Sequence, residues 1–237
     1  MNVYALKAVS IFSGLDGDDL ALLASHARTE AFEAGSPLIH QGDREAPLFA
    51  ITAGRVKVFR TSASGLEVII AVRGVGECLG ELSVLDGAPR SASVAAVTDV
   101  EAIQIDRLAM RQAVSASPKL AWALLTALSL RLREASDTIE AMATKSLIER
   151  LAFVLISIGD QHGAAIDASD NAPVKLPAPL TTTDLAALVG NSREKVTKAL
   201  TSLRAKSLVS RDPHDHGLIL DDPASLRHLA DGEMDLP

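Results

Sequence analysis

The sequence predicts an α+β protein in which a β-rich domain precedes one long helix and a smaller, mostly helical module. Between residues 29 and 106, short runs of Val, Ile and Phe alternate with glycines, as in antiparallel sheets. A heptad repeat of apolar residues follows, and two short helical segments joined by a glycine come after it. We expect three parts, residues 1–117, 118–144 and 145–237, with the domain boundary near 143–146.

The first part is expected to combine a helical start over residues 1–28 with a β-sandwich. Apolar runs predict strands at 38–39, 48–51, 56–59, 68–72, 94–97 and 100–105. Short, closely spaced strands with glycine turns are typical of an antiparallel sandwich or jelly roll. A short helical region over 107–117 leads to Pro118, which suits the first turn of the long helix.

Composition excludes several classes of protein. The chain has a net charge of −7 and only 3% aromatic residues, which disfavours a stacking platform for single-stranded nucleic acid. Its only cysteine, Cys78, excludes an internal disulfide and an iron–sulfur cluster, and predicts a buried, inert thiol. Because the N-terminus lacks a signal-peptide pattern and no apolar stretch suits a bilayer, we expect a cytoplasmic protein without a membrane partner. No nucleophile–base pair or metal-spaced cluster stands out, so we expect neither an enzyme nor a metal site.

Residues 80–94 form the strongest candidate binding stretch. Gly80 lets the backbone approach a ligand closely, and Glu81 offers a carboxylate to sugar hydroxyls. Arg90 presents a planar fork that suits a phosphate, and Ser91 adds a hydroxyl donor. A turn signal at 86–89 lies between the two pairs. The stretch therefore predicts recognition of a ribose and a phosphate, and the alternative is a solvated turn between two strands.

The long helix carries an apolar row that we call the seam. Its members are spaced alternately three and four residues apart: Leu125, Leu128, Leu132, Ala135, Ile139 and Met142. This heptad spacing favours a parallel pair of helices from two identical subunits. The alternative is a helix that lies on its own domain. Ala135 leaves a gap beside Ser136, which means loose packing or room for a ligand.

The third part is expected to begin with a helix over about 145–159. Residues 160–179 are polar and rich in proline, which predicts a loop. Near the end of the chain, apolar runs at 208–211 and 218–220 flank a turn sequence and predict a pair of strands, a wing.

Between that loop and the wing, the sequence predicts a helix-turn-helix. Thr181 with Asp184 has the pattern of a capped helix start, and Gly190 ends this helix in the left-handed conformation. Ser192 is suited to cap a second helix, over about 193–206. Two helices joined by so short a glycine turn are typical of this motif.

The second of these helices is basic on an acidic chain. Residues 191–211 contain six basic residues and one acidic residue, which favours double-stranded DNA over the alternative of a solvated basic helix. Arg193 suits a guanine edge, Glu194 suits cytosine, and Lys198 suits a base or a phosphate. Lys195, Thr201 and Ser202 are expected at the DNA backbone. The predicted DNA-contacting set is Thr181, Ser192, Arg193, Glu194, Lys195 and Lys198.

In its order of parts, the chain resembles the CRP/FNR (catabolite-activator) family of bacterial transcription regulators over nearly its full length. The resemblance implies a homodimer with a cyclic-nucleotide-binding-type domain and a winged helix-turn-helix domain that binds palindromic DNA, with RNA polymerase as a further partner. It implies that Gly80, Glu81, Arg90 and Ser91 match the phosphate-binding cassette of cAMP-binding members. Glu81 would then hold the ribose 2′-hydroxyl, and Arg90 and Ser91 the cyclic phosphate.

The resemblance also assigns base-reading roles. Arg193, Glu194 and Lys198 match the triplet that reads bases, with lysine where the activator has arginine, and TGTGA-like half-sites are implied. A Thr-Ser pair that contacts adenine in the cAMP activator aligns with Ala135 and Ser136, so one hydroxyl is lost.

A missing partner for a buried amine costs about 1–3 kcal/mol, so the effector is expected to be cAMP, bound more weakly, or cGMP. The predicted nucleotide-contacting set is Gly80, Glu81, Leu82, Arg90, Ser91, Ala135 and Ser136.

The leading hypothesis is a dimeric DNA-binding regulator that a cyclic nucleotide switches by bridging the β domain and the seam helix. A second is a regulator of the same fold that senses haem-bound gas or a redox signal, with His26, His40 and His162 as candidate ligands. A third is a nucleotide-binding regulatory subunit that acts on a protein partner, against which the basic helix argues.

Overall fold

The structure, a computed structural model, describes residues 3–44, 47–63, 65, 67–169, 171–177 and 180–234. Contacts divide the chain into two units, Met1–Arg133 and Glu134–Pro237. The division falls inside the longest helix, and each unit is described separately.

The first unit contains eight strands: β1 Ala27–Phe32, β2 Pro37–Ile39, β3 Leu48–Ala53, β4 Val56–Thr61, β5 Glu67–Arg73, β6 Cys78–Leu79, β7 Ser93–Ala96 and β8 Val100–Ile105. They form two four-stranded antiparallel sheets, with the strand orders β1-β8-β3-β6 and β2-β7-β4-β5. Two four-stranded sheets whose strands alternate between them in this way make a jelly roll. The predicted fold of the first part is therefore confirmed.

One core lies between the two sheets and a second lies beneath the first sheet. Ile51 and Ala102 face the inter-sheet core, whereas Leu48 and Ile105 face the helices. Strands β3 and β8 are thus buried on both sides, which explains why their sequences read as nearly continuous apolar runs. Cys78 is buried in the second core, and burial raises the pKa of its thiol, in keeping with the predicted inert role.

The helices of the first unit are α1 Val3–Lys7, α2 Gly17–Ser25, α3 Glu81–Asp86, α4 Arg107–Ala116 and the start of α5 Pro118–Thr144, with a 3-10 turn at Ser10–Phe12. The predicted helical start over residues 1–28 is wrong at its end, because β1 begins at Ala27. Neither β1 nor β6 was predicted, and β6 has only two residues, too few to show alternation. Residues 81–86 form a helix whose Val84 packs into the core at 1% exposure, so the alternative of a solvated turn does not hold there.

The second unit holds the rest of α5, then α6 Leu147–His162, α7 Thr182–Val189, α8 Arg193–Ala205 and α9 Pro223–Ala230. Its sheet has the order β11-β12-β10-β9, from β9 Ala164–Ala165, β10 Val174–Lys175, β11 Val209–Arg211 and β12 Leu218–Leu220. The predicted wing is confirmed as β11 and β12.

The loop predicted over 160–179 is wrong in part. Helix α6 continues to His162, and two short strands follow it. Each has two residues, too few to show a period, and β10 is stabilised by β12, more than 40 residues further along the chain. Helix α9 was not predicted.

No single helix in the described part of the chain has the length and apolar character needed to cross a membrane. Helices α4 and α5, bent by 110°, meet that criterion only as a pair, by length and composition.

Candidate functional site

Arg90 is held in the interior of the jelly roll next to Gly80. Its guanidinium donates hydrogen bonds to the carbonyl oxygens of Gly80, at 3.0 Å, and Pro47, at 2.5 Å. Its backbone N–H donates to the Asp43 carbonyl at 2.9 Å, and its side chain is buried. Arg90 is therefore fixed at both its backbone and its guanidinium before any ligand binds.

The charge of Arg90 makes this position suitable for an anion. Burial lowers the pKa of Arg90, whereas the carboxylates of Glu81 and Asp43 raise it. Its guanidinium nitrogens donate to two neutral carbonyl oxygens. Charge-assisted hydrogen bonds to phosphate oxygens are stronger than bonds to neutral carbonyls, so a phosphate can compete for these donors.

Glycine at position 80 is required by two features of the backbone. Gly80 precedes α3 with φ +81°, in the left-handed region that favours glycine. A Cβ at this position would lie 1.8 Å from Nη1 of Arg90. The close approach of backbone and guanidinium thus exists because no side chain stands between them.

Glu81 forms an ion pair with Arg131 of α5, a residue that the sequence analysis did not single out. Arg131 also donates a hydrogen bond to the Cys78 carbonyl. Burial alone would lower the pKa of Arg131, but the charge of Glu81 and its hydrogen bond raise it overall. Arg131 lies one helical turn before Ala135 and Ser136, and this spacing was the one feature of the sequence that could have identified it as a site residue.

The structure therefore brings Gly80, Glu81 and Arg90 together and adds Arg131, and we call these four residues the cassette cluster. Of the other predicted nucleotide contacts, Ser91 is exposed directly after Arg90, and Leu82 lies on α3 at 44% exposure. Ala135 and Ser136 are exposed on the part of α5 that belongs to the second unit.

The candidate haem ligands occupy three separate elements. His26 follows the last residue of α2, His40 follows β2, and His162 is the last residue of α6. Within the described ranges, no group of three or more His, Cys, Asp or Glu side chains is placed to hold a metal ion.

Replacing Gly80 with alanine is expected to lower both stability and nucleotide affinity. The left-handed backbone costs alanine about 1–2 kcal/mol, and the new methyl group displaces the Arg90 guanidinium. Gly76→Ala is the matched control, because φ is +87° there and the nearest atom lies 3.6 Å away. Thermal unfolding should show a loss for both variants, larger for G80A because the displaced Arg90 also loses its hydrogen bonds, and only G80A should lose nucleotide binding. Equal binding by both would show that Gly80 has no role beside Arg90.

The predicted caps are present at the start of α7 and on both sides of the turn between α7 and α8. Thr181 and Asp184 form a reciprocal capping box at the start of α7. Gly190 ends α7 with φ +64°, and Ser192 accepts a hydrogen bond from the Lys195 backbone N–H at 3.4 Å. The predicted helix-turn-helix is confirmed, and Thr181 and Ser192 act as caps in the free protein.

Helix α8 has one buried face and one exposed face. The buried face holds Val196, Ala199, Leu200 and Leu203. The predicted DNA contacts on this helix are all exposed: Arg193, Glu194, Lys195 and Lys198. The apolar periodicity thus fixes which side of α8 packs and leaves the basic side turned outward.

An ion-pair network shapes the turn of the wing. Lys175 Nζ lies 2.5 Å from Asp212 and 2.8 Å from Asp215. Hydrogen bonds from Lys175 lower the pKa of both carboxyl groups. These carboxylates also accept hydrogen bonds from the backbone N–H groups of His214 and Gly217, so the turn is tied to β10.

Most of the seam is exposed in the single chain, and Leu128 is half-buried. Leu125, Leu132 and Ile139 are 57%, 69% and 70% exposed. By contrast Leu124, one position away from the seam, is buried against the core of the first unit. The alternative that the seam packs on its own domain does not hold for Leu125 and Leu132.

Two family models match the chain. A cyclic nucleotide-binding domain matches residues 29–117, and a Crp-like helix-turn-helix domain matches residues 149–229. Among curated proteins, the cyclic AMP receptor protein of Thermus thermophilus is 31% identical over 88% of this chain and 91% of its own length. A CRP-like cAMP-activated global transcriptional regulator of Mycobacterium tuberculosis is 29% identical over 82% of this chain and 85% of its own.

The fold agrees with solved structures. A CRP/FNR-family transcriptional regulator from Thermus thermophilus superimposes with a TM-score of 0.69 and 26% identity, over 86% of this chain and 98% of that one. The jelly roll with its cassette cluster, the long helix and the helix-turn-helix with its wing therefore place this chain in the CRP/FNR family of DNA-binding transcription regulators with a cyclic-nucleotide-binding domain.

Proposed function

We propose that the protein is a homodimeric transcription regulator whose affinity for palindromic DNA is controlled by a cyclic nucleotide, with cAMP as the first candidate and cGMP as the second. The observation that carries this proposal is the cassette cluster. A buried arginine whose guanidinium, among the described residues, bonds to two carbonyl oxygens, beside a glycine with no side chain, provides a place for one phosphate. The names of two relatives specify cAMP, which supports adenine as the base of the bound nucleotide.

Each member of the cassette cluster has a distinct role in this proposal. Arg90 exchanges its carbonyl acceptors for the cyclic phosphate, and the Ser91 hydroxyl adds a donor. Glu81 accepts a hydrogen bond from the ribose 2′-hydroxyl. Leu82 lies beside these groups on α3. The positive charges of Arg90 and Arg131 offset the negative charges of Glu81 and the phosphate, so the bound site is close to neutral.

Arg131 connects the proposed nucleotide site to α5. In the free protein Arg131 pairs with Glu81 across 50 positions of sequence. A nucleotide that engages Glu81 changes the partners of Arg131 and so favours one arrangement of α5 over another. A ligand shifts such an equilibrium only by its difference in affinity for the two states, and the difference here lies in the Glu81–Arg131 pair.

The seam is proposed as the dimer contact. Parallel pairing of two α5 helices buries the exposed seam residues of each chain and sets two α8 helices on the same side of the dimer. Arg193, Glu194 and Lys198 then read TGTGA-like half-sites, while Lys195 contacts the backbone. We assign residues 1–117 to the effector domain, 118–144 to the dimerisation helix and 145–237 to the DNA-binding domain, with RNA polymerase as a partner in the cytoplasm.

DNA binding in the presence and absence of nucleotide tests the proposal. Fluorescence anisotropy with a labelled TGTGA palindrome should show tighter binding when cAMP or cGMP is added, and a scrambled duplex should show no such gain. Equal affinity with and without either nucleotide would contradict nucleotide control. Binding that ignores the palindrome would contradict the base-reading assignment.

Restoring a hydroxyl at position 135 is expected to tighten cAMP binding. Ala135→Thr supplies a partner for the exocyclic amine of adenine, which is worth about 1–3 kcal/mol, or roughly tenfold or more in affinity. Ala135→Val has the same shape without the hydroxyl and is the control. Calorimetry should show the gain for A135T with cAMP and no gain for A135V. Equal gains for both would mean that added volume, not the hydroxyl, is responsible.

A further inference from the structure

Helix α3 has a glycine against an arginine at each of its ends. At its start, Gly80 lies against the guanidinium of Arg90, which occupies the place that a side chain would take. At its end, Gly87 closes the helix with φ +79°, and a Cβ there would lie 2.7 Å from Nη2 of Arg107. The second contact, like the first, exists because glycine has no side chain.

Arg107 reaches α3 from a firmly held position. It is the first residue of α4, and the carboxylate of Asp106 caps this helix by accepting a hydrogen bond from the backbone N–H of Leu108 at 2.8 Å. Met110, in the first turn of α4, is 1% exposed and belongs to the same core as Val84 of α3. Helices α3 and α4 therefore share a core, and Arg107 adds a contact at its edge.

Helix α3 is linked at its two ends to two consecutive helices. Near its start, Glu81 pairs with Arg131 of α5. At its end, Gly87 lies against Arg107 of α4, and α4 and α5 meet at a bend of 110°. A helix of six residues has fewer than two turns, so its orientation depends mainly on contacts with its neighbours. The charge of the Arg107 guanidinium also suits the partial negative charge at the C-terminal end of a helix.

We propose that Arg107 is a positioning residue for the nucleotide site. Its guanidinium fixes the end of α3 and so holds the carboxylate of Glu81 where the ribose 2′-hydroxyl binds. This inference rests on the proposed function and adds a residue that acts on the nucleotide through Glu81. It also explains the turn signal at 86–89, because only glycine at position 87 lets the guanidinium come this close to the end of α3.

Binding of cAMP and of 2′-deoxy-cAMP to Arg107→Ala tests this role. The analogue lacks the hydroxyl that Glu81 is proposed to hold. We expect R107A to bind cAMP about two- to fivefold more weakly, the factor that corresponds to a cation at a helix C-terminus. Its affinity for 2′-deoxy-cAMP should be unchanged, since the residue and the hydroxyl act through one interaction. The guanine counterparts replace this pair if the wild-type protein binds cGMP instead.

Calorimetry measures these affinities, by competition where binding is weak. An equal loss for both nucleotides would mean that Arg107 supports the fold in general, and it would overturn the proposed role. Unchanged affinity of R107A for cAMP would overturn it as well.

A second variant displaces the guanidinium without removing it. In Gly87→Ala the new methyl group takes its place, so G87A should show the same selective loss as R107A. Gly35→Ala is the matched control for the left-handed backbone, with φ +87° and no atom within 4 Å of the added Cβ. Arg111→Ala, which removes an exposed arginine one turn later on α4, is the control for charge. Both controls should keep both affinities. Wild-type binding by G87A, or the selective loss in either control, would overturn the inference.

The wild-type protein separates this inference from the proposed function. If it binds cAMP more tightly than 2′-deoxy-cAMP and R107A binds both as the wild type does, only the role of Arg107 fails. If the wild-type protein binds the two equally, the role of Glu81 in the proposed function fails and that of Arg107 fails with it. Absence of binding to both cAMP and cGMP would contradict the proposed function as a whole.

Discussion

Arg90→Leu is expected to abolish the response to cyclic nucleotide. The side chain is 4% exposed, and its guanidinium donates to Gly80 and Pro47 at the base of the cassette cluster. Charge-assisted hydrogen bonds contribute about 1.5–3 kcal/mol each, so the loss of two to a phosphate lowers affinity by at least about a hundredfold. Calorimetric titration of the variant with cAMP and cGMP measures this loss.

A loss of nucleotide binding by R90L must be distinguished from a loss of stability. Leucine leaves the two carbonyl oxygens without their donor, so R90L is expected to unfold at a lower temperature than the wild-type protein. Arg90→Gln keeps a donor for one of these carbonyls while removing the charge, and should recover part of the stability without recovering binding. If R90Q or R90L binds nucleotide as tightly as the wild-type protein, Arg90 does not hold the phosphate.

Leu132→Asp is expected to convert the dimer into monomers. Leu132 lies in the middle of the seam and is 69% exposed in the single chain. In a dimer the variant would bury two unpaired carboxylates against each other, which costs roughly 3–5 kcal/mol and weakens association by about two to four orders of magnitude. Sedimentation equilibrium measures the dissociation constant. DNA affinity should fall in parallel, because two linked half-sites bind far more tightly than one.

Leu130→Asp is the matched control for the seam. Leu130 is also a leucine of α5 and is 57% exposed, but it lies about 160° around the helix from Leu132. L130D should remain dimeric and bind DNA normally. If L130D dissociates as L132D does, α5 does not pair through the seam, and if neither dissociates, the dimer contact lies elsewhere.

Local signals in the sequence were sufficient for the helix-turn-helix. The capping box of Thr181 and Asp184, the left-handed Gly190 and the cap at Ser192 each depend on residues within one helical turn. Such patterns can be read without knowledge of the tertiary fold. The same holds for the alternation between buried and exposed positions of α8, which follows from the helical period.

Contacts between distant residues were harder to predict. Strand β1 pairs with β8 so that Ala27 lies opposite Ile105. The sequence predicted β8 but neither β1 nor the order of the strands. The pair of Glu81 and Arg131 depends on where the fold places α5 against the sheet, and a charge beside the seam is equally compatible with exposure to solvent. Strands β9 and β10 have two residues each and carry no periodicity, so the sequence contains no signal for them, and their pairing is set by the fold.

Calorimetric titration of the purified protein with cAMP and then cGMP, repeated with a TGTGA-palindrome duplex present, tests the central claim most directly. Our account predicts micromolar binding of one nucleotide, and tighter binding of that nucleotide when the duplex is present, because coupling between two sites is reciprocal. Absence of heat with both nucleotides, with and without the duplex, would contradict the claim that the cassette cluster controls DNA binding through a cyclic nucleotide.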